Sequence, residues 1–250
     1  MRRLVLLAVA ALAIARPGGA QWMNVPRGAS NVAASAPRAA DGHPDLSGIW
    51  MAENQRFFQD LAAGLRPDEV AALPWARALS QQRESRLHSD DPLAHCLPHG
   101  VPRINTNSNF PFKIVQTPGL VVILYEQLTL FRQVFMDGRW LADDLNPTWL
   151  GYSTGRWEGD SLVVETRGFN DKTWLDTNKG RPATEALHVT ERFRRPTFGT
   201  LEIVATVDDP KTYEKPWTTA PQRLRLQSGT ELLEMVCLEN EKDSSHLVGK

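Results

Sequence analysis

The chain has 250 residues, with 28 Lys and Arg against 29 Asp and Glu, 42% apolar residues and two cysteines. That near-neutral balance argues against nucleic acid as a partner, because phosphate binding needs a basic patch. The densest basic cluster, Arg192, Arg194 and Arg195, reads as a solvated strand face.

Residues 1–20 read as a cleavable export signal. Arg2 and Arg3 form a basic start, Leu4 to Ala15 form an apolar run, and Gly18 and Ala20 supply small residues before a cut at Gln21. The apolar run is too short for a membrane span, which needs about 20 residues, and Arg16-Pro17-Gly18-Gly19 ends it. No Cys follows the cut, so no lipid anchor is expected, and no later stretch is apolar enough to span a bilayer. The signal holds three arginines and no acid, which leaves 25 basic against 29 acidic residues, or −4, in the mature chain. The protein is expected in the periplasm or outside the cell. In that setting a bond between Cys96 and Cys237 is the default, with two buried thiols as the alternative.

Residues 21–41, rich in Ala, Ser, Pro and Asn, read as a flexible leader, with order beginning near Gly42. About 230 residues then suit one all-β domain, and residues 42–250 are taken as one. Asp45 to Trp50 reads as a first strand. Residues 67–87 read as helical, split by Pro74, with Val70, Leu73, Trp75, Ala78 and Leu79 toward the core. The helical and loop stretch 57–110 is an insertion. It ends in the Pro- and Gly-punctuated loop His95 to Arg103.

From residue 111 the apolar period becomes two. Strands are expected at 111–117, 120–127, 129–136, 148–157, 161–169, 187–195, 200–208, 222–227 and 230–239. Pro118-Gly119, Glu158 to Asp160, Pro196 to Gly199 and Ser228-Gly229 supply turns. With no helices between strands, parallel crossovers are not expected. The fold class is mostly β: an antiparallel meander closed into a barrel, which removes exposed edges. In strict alternation the long connections 137–147, 170–186 and 209–221 share one mouth with the short turn at 118–119, and the turns at 127–129, 158–160, 196–199 and 228–229 share the other. Long loops at a barrel mouth are where binding tends to occur.

Alternation puts Leu187, Val189, Glu191 and Phe193 on one strand face, with His188, Thr190, Arg192 and Arg194 on the other. Glu191 is then a lone acid on an apolar face. Such a carboxylate is either a tuned acid/base or half of an ion pair, with Arg132 a possible partner. Asp171 and His188 both stand at the long-loop mouth and could form an acid–base couple. The alternative is an Asx turn at Asn170-Asp171 and a surface histidine. Trp174, Tyr213, Trp217 and Arg223, with Asn170, would line a site for an aromatic or apolar ligand with a polar handle. Glu165 and Arg167 read as an exposed cross-strand pair.

His95 and His99 are the nearest approach to a metal pair, and Pro98 breaks their common helical face; no functional metal and no cofactor is expected. Nucleotide-binding, serine-hydrolase, zinc and haem motifs are absent from the sequence.

Gly48-Ile49-Trp50 resembles the G-x-W element of lipocalins and other calycins, which implies a calycin-like barrel. A longer pattern is similar to a group of uncharacterised exported bacterial proteins. It comprises Gly42 to Trp50, Cys96-Leu97-Pro98 with Pro102-Arg103, Trp157 to Thr166, Gly168 to Trp174 and Leu187 to Phe193. That resemblance implies export and a single domain, and no mechanism. Three functions follow as expectations: a binder of a small apolar or aromatic molecule at the long-loop mouth; a cofactor-free lyase, isomerase or hydrolase using Glu191 or the His188–Asp171 couple; and a structural envelope protein.

Overall fold

The computed structural model describes residues 31–142 and 144–237. The expected signal segment, the first part of the expected leader and the end of the last expected strand lie outside them. Ten strands form the sheet: β1 (Gly48–Ala52), β2 (Phe112–Gln116), β3 (Leu120–Tyr125), β4 (Leu130–Phe135), β5 (Tyr152–Glu158), β6 (Ser161–Arg167), β7 (His188–Thr197), β8 (Thr200–Asp208), β9 (Trp217–Thr218) and β10 (Gln222–Leu226). β10 pairs with both β1 and β8, so β1 to β8 and β10 close a nine-stranded ring and β9 extends the upper part of β8. The protein is a mostly-β barrel, as its alternating pattern predicts.

One pairing departs from a meander. β4 and β5 are parallel, with Val134 opposite Ser153. Segment 136–151 therefore crosses the barrel from end to end instead of turning at one mouth. This moves the turn at 117–119 to the end that also holds 159–160 and 198–199, and moves 126–129 to the long-loop end. The long-loop end carries 168–187, 209–216 and the whole insertion 53–111, because β1 ends and β2 begins there.

The insertion covers that mouth. It contains α1 (Arg56–Gln59) and α2 (Pro74–Ser85), and Arg103 to Thr106 form a buried 3-10 turn beneath α1. α2 starts at Pro74, where a missing amide hydrogen costs nothing. Its expected apolar face is shallow. Ala76 is the buried residue, while Ala78 is exposed and Trp75 lies on the surface with its Nε1 donating to the Lys211 carbonyl at 2.9 Å. The helix is short and flanked by loops, so it shields the mouth without a full apolar stripe.

Inward positions hold Trp50, Phe112, Ile114, Ile123, Val134, Leu162, Val164, Val189, Phe193, Ile203 and Leu224, all buried. Each such side chain contributes about 1.5–3 kcal/mol on burial. At the short-turn end Arg195 stacks over the Trp50 ring at 4.9 Å and donates to the carbonyls of Ser47 and Phe198. The leader is ordered earlier than its composition suggests. Phe198 and Gly199 donate to the carbonyls of Ala34 and Val32, and Arg38 pairs with Asp160 at 2.9 Å.

The expected strand 230–239 forms no strand over its described part. Residues 231–235 instead cross the outside of the barrel, tied by Lys113 to Glu231 at 2.7 Å and by Leu233 N to Glu126 at 2.9 Å. This run leads to Cys237, which is bonded to Cys96 across 141 positions. An intramolecular disulfide suits an oxidising compartment. No helix among the described residues is long and apolar enough to cross a membrane.

Candidate functional site

The sequence candidates separate into three places. Glu191 points into the barrel, as alternation requires, and meets Arg132 with Oε2 and Nη2 2.7 Å apart, both side chains essentially inaccessible. Asn105, from the insertion, donates to Glu191 Oε1 at 2.6 Å and accepts from the Tyr125 hydroxyl at 2.9 Å. Arg132 also donates to Ser153 and Thr166, at 2.9 and 2.7 Å. Burial opposes the Arg132 charge, and the neighbouring carboxylate outweighs that and raises its pKa. Burial pushes the Tyr125 phenol up as well, so it stays protonated and donating. The ion pair with Arg132 and the Asn105 hydrogen bond favour the structural alternative for Glu191.

Trp174, Tyr213 and Trp217 do not line an open mouth. Trp174 is buried beneath Arg83, whose guanidinium lies 4.2 Å from the ring centre. Tyr213 and Trp217 pack edge to face with centroids 5.7 Å apart, and the Tyr213 hydroxyl donates to the Pro182 carbonyl. The insertion packs against them, through Arg83 on the Trp174 ring and the bridge between Ala72 and Tyr213. Arg223 lies on the exposed outer wall, 3.4 Å from Glu202. Asn170 closes an Asx turn by accepting from Lys172 N, and Asp171 is exposed. Among the described residues no ion pair joins Asp171 to His188; the carboxylate nearest His188 is Glu165, with Oε2 3.8 Å from Nε2. Glu165 itself pairs across the strand with Arg156, at 2.5 Å.

His188 does stand at a cleft. A cavity of about 350 Å³ opens on the long-loop rim between the crossing segment and the tops of β6 and β7. Leu145, Pro147, Phe169 and Leu187 give it apolar walls, and Arg167, Glu185 and His188 give it polar ones. Its two sides are fixed to each other. Thr148 N donates to the Gly168 carbonyl at 2.9 Å, and Asn170 N donates to the Thr148 carbonyl at 2.8 Å. Gly168, at φ +73°, lets Leu145 approach to about where a Cβ would lie 3.1 Å away. Burial lowers the His188 pKa, the Arg167 cation acts the same way, and Glu165 opposes them. The imidazole is therefore neutral at pH 7. Its Nε2 is buried without a hydrogen-bond partner. A tautomer with hydrogen on Nε2, toward Glu165, leaves Nδ1 as an acceptor.

His99, named in the sequence only as half of a doubtful metal pair, is fully buried, with Phe58 edge-on at 5.8 Å. His95 instead contacts the Ser89 carbonyl through Nε2. Among the described residues no cluster of His, Cys, Asp and Glu is arranged to hold a metal. Asn105, Tyr125, Ser153 and Thr166 escaped sequence reading, although alternation along β5 and β6 could have flagged the last two once the register was known. No family model, no curated protein and no solved structure matches this chain.

Proposed function

We propose that this is an exported small-molecule-binding protein whose ligand occupies the rim cleft at His188. The supporting observation is a neutral imidazole in the wall of a preformed cavity of about 350 Å³ with both apolar and polar walls, a volume at the lower end of ligand pockets. The ligand class is a small aromatic or apolar molecule carrying a hydroxyl. The apolar part packs on Phe169, Leu145 and Leu187, and the hydroxyl donates to His188. The site is thus on the barrel's rim rather than in its interior, which side chains occupy. Titration with 1-naphthol, followed by tryptophan fluorescence, tests this reading. Saturable binding weakened at least tenfold by His188→Ala is expected. Equal binding by wild type and His188→Ala would overturn it.

A second reading rests on the same imidazole. A neutral histidine near Glu165 is equipped for general-base chemistry, and its loss would lower turnover by about 10²–10⁴. Glu191 is no part of that reading, because its carboxylate is committed to Arg132.

A further inference from the structure

A second cleft lies on the insertion, remote from His188 in its lining. It has a volume of about 750 Å³ and runs between residues 60–72, the first half of α2 and the loop 179–182. Ala62, Leu65, Val70 and the Tyr213 ring line it, and all four belong to or pack against the main core. Its walls are held in place. Leu73 N donates to the Thr212 carbonyl and Glu214 N to the Ala71 carbonyl, both at 2.9 Å. Opposite, Arg181 joins Asp60 at 2.6 Å and also contacts the buried Asp176.

Four cations line this cleft, and their partners differ. Arg66 is beside Asp68 and Glu69, Lys179 is 2.7 Å from Glu84, and Arg181 is doubly paired. Arg77 alone among these four has no carboxylate partner among the described residues; its Nη2 donates to the Ala72 carbonyl at 3.0 Å. A guanidinium has five donor hydrogens in a planar fork suited to a carboxylate. Here that fork stands at the edge of an apolar trough.

We infer that this cleft binds an amphipathic monocarboxylate, with its chain along Leu65, Val70 and Tyr213 and its carboxylate on Arg77. Chain burial supplies affinity that grows with each methylene removed from water, and the guanidinium sets the direction of entry. This site shares no lining residue with the His188 cleft, so the two stand or fall separately.

The test uses the full folded chain and decanoate as the probe, by calorimetry, with decanol as the uncharged control. Saturable decanoate binding is expected, with decanol at least tenfold weaker. Arg77→Gln should lower decanoate affinity at least tenfold, and Arg77→Lys should restore part of it; circular dichroism checks that both variants fold. Amide NMR shifts should cluster around residues 65, 72 and 77. Decanol binding as tightly as decanoate, undiminished binding by Arg77→Gln, shifts clustered at 168–188, or no saturable heat would each overturn the proposal.

Discussion

Arg132 on β4 and Glu191 on β7 face each other across the barrel interior, Nη2 to Oε2 2.7 Å apart, with Asn105 of the insertion completing the carboxylate's contacts. A buried pair of this kind is costly to break and less costly to replace, since removing one partner leaves the other charge uncompensated. Glu191→Gln should destabilise the protein by about 3–5 kcal/mol. The double change Arg132→Met with Glu191→Leu should recover most of that. Urea unfolding of the three proteins checks both outcomes; a double variant no better than the single would mean the pair contributes more than its desolvation costs.

Reduction should be damaging too. The Cys96–Cys237 bond closes a loop of 141 positions, and the chain-entropy estimate gives about 4–5 kcal/mol for such a loop. Urea midpoints with and without a reductant should differ accordingly, and Cys96→Ser with Cys237→Ser should match the reduced protein.

Acid should loosen the covered mouth. Burial holds the His99 pKa well below its ordinary value near 6.5, and the Arg103 cation adds to this. The folded state thus binds fewer protons at His99 than the unfolded state. Stability is unaffected well above pH 6.5 and falls as pH drops below it, by up to about 1.4 kcal/mol per pH unit for this one proton. His188 contributes in the same direction. Melting temperatures between pH 8 and 5 should fall, and the fall should be smaller in His99→Phe.

Gly100 is where the insertion meets the 168–187 loop. It has φ +75°, and a Cβ there would lie 2.6 Å from Thr173 Cγ2 and 3.3 Å from the Trp149 carbonyl. Gly100→Ala should cost about 2–4 kcal/mol from backbone strain and overpacking together. Thermal melting measures it, and Gly138→Ala, with open space around its Cβ position, isolates the backbone part.

Local patterns in the sequence specify most of the barrel. Period-two alternation places β2 to β8 and β10 within a few residues and turns Glu191 inward, because each strand has one wet and one buried face. Alternation carries no information about strand direction, so the parallel β4–β5 pair and the sorting of loops by end were not legible. The surroundings of the aromatic candidates were not legible for a related reason. Trp174, Tyr213 and Trp217 have the composition of a binding wall, but what covers them is the insertion, whose docking depends on Arg103 to Thr106, a run with no periodicity. His188 was legible as a rim residue; its carboxylate neighbour, Glu165, follows only from the register of β6 against β7.

Because β10 joins β1 to β8, the ring closes only when residues 222–226 are in place. Cys237, which fastens the insertion, comes later still. A chain made from its amino end thus has β1 and β8 as open edges until residues 222–226 emerge, able to pair with other chains. Truncation before residue 222 should therefore convert this barrel into an aggregating sheet rather than a smaller domain.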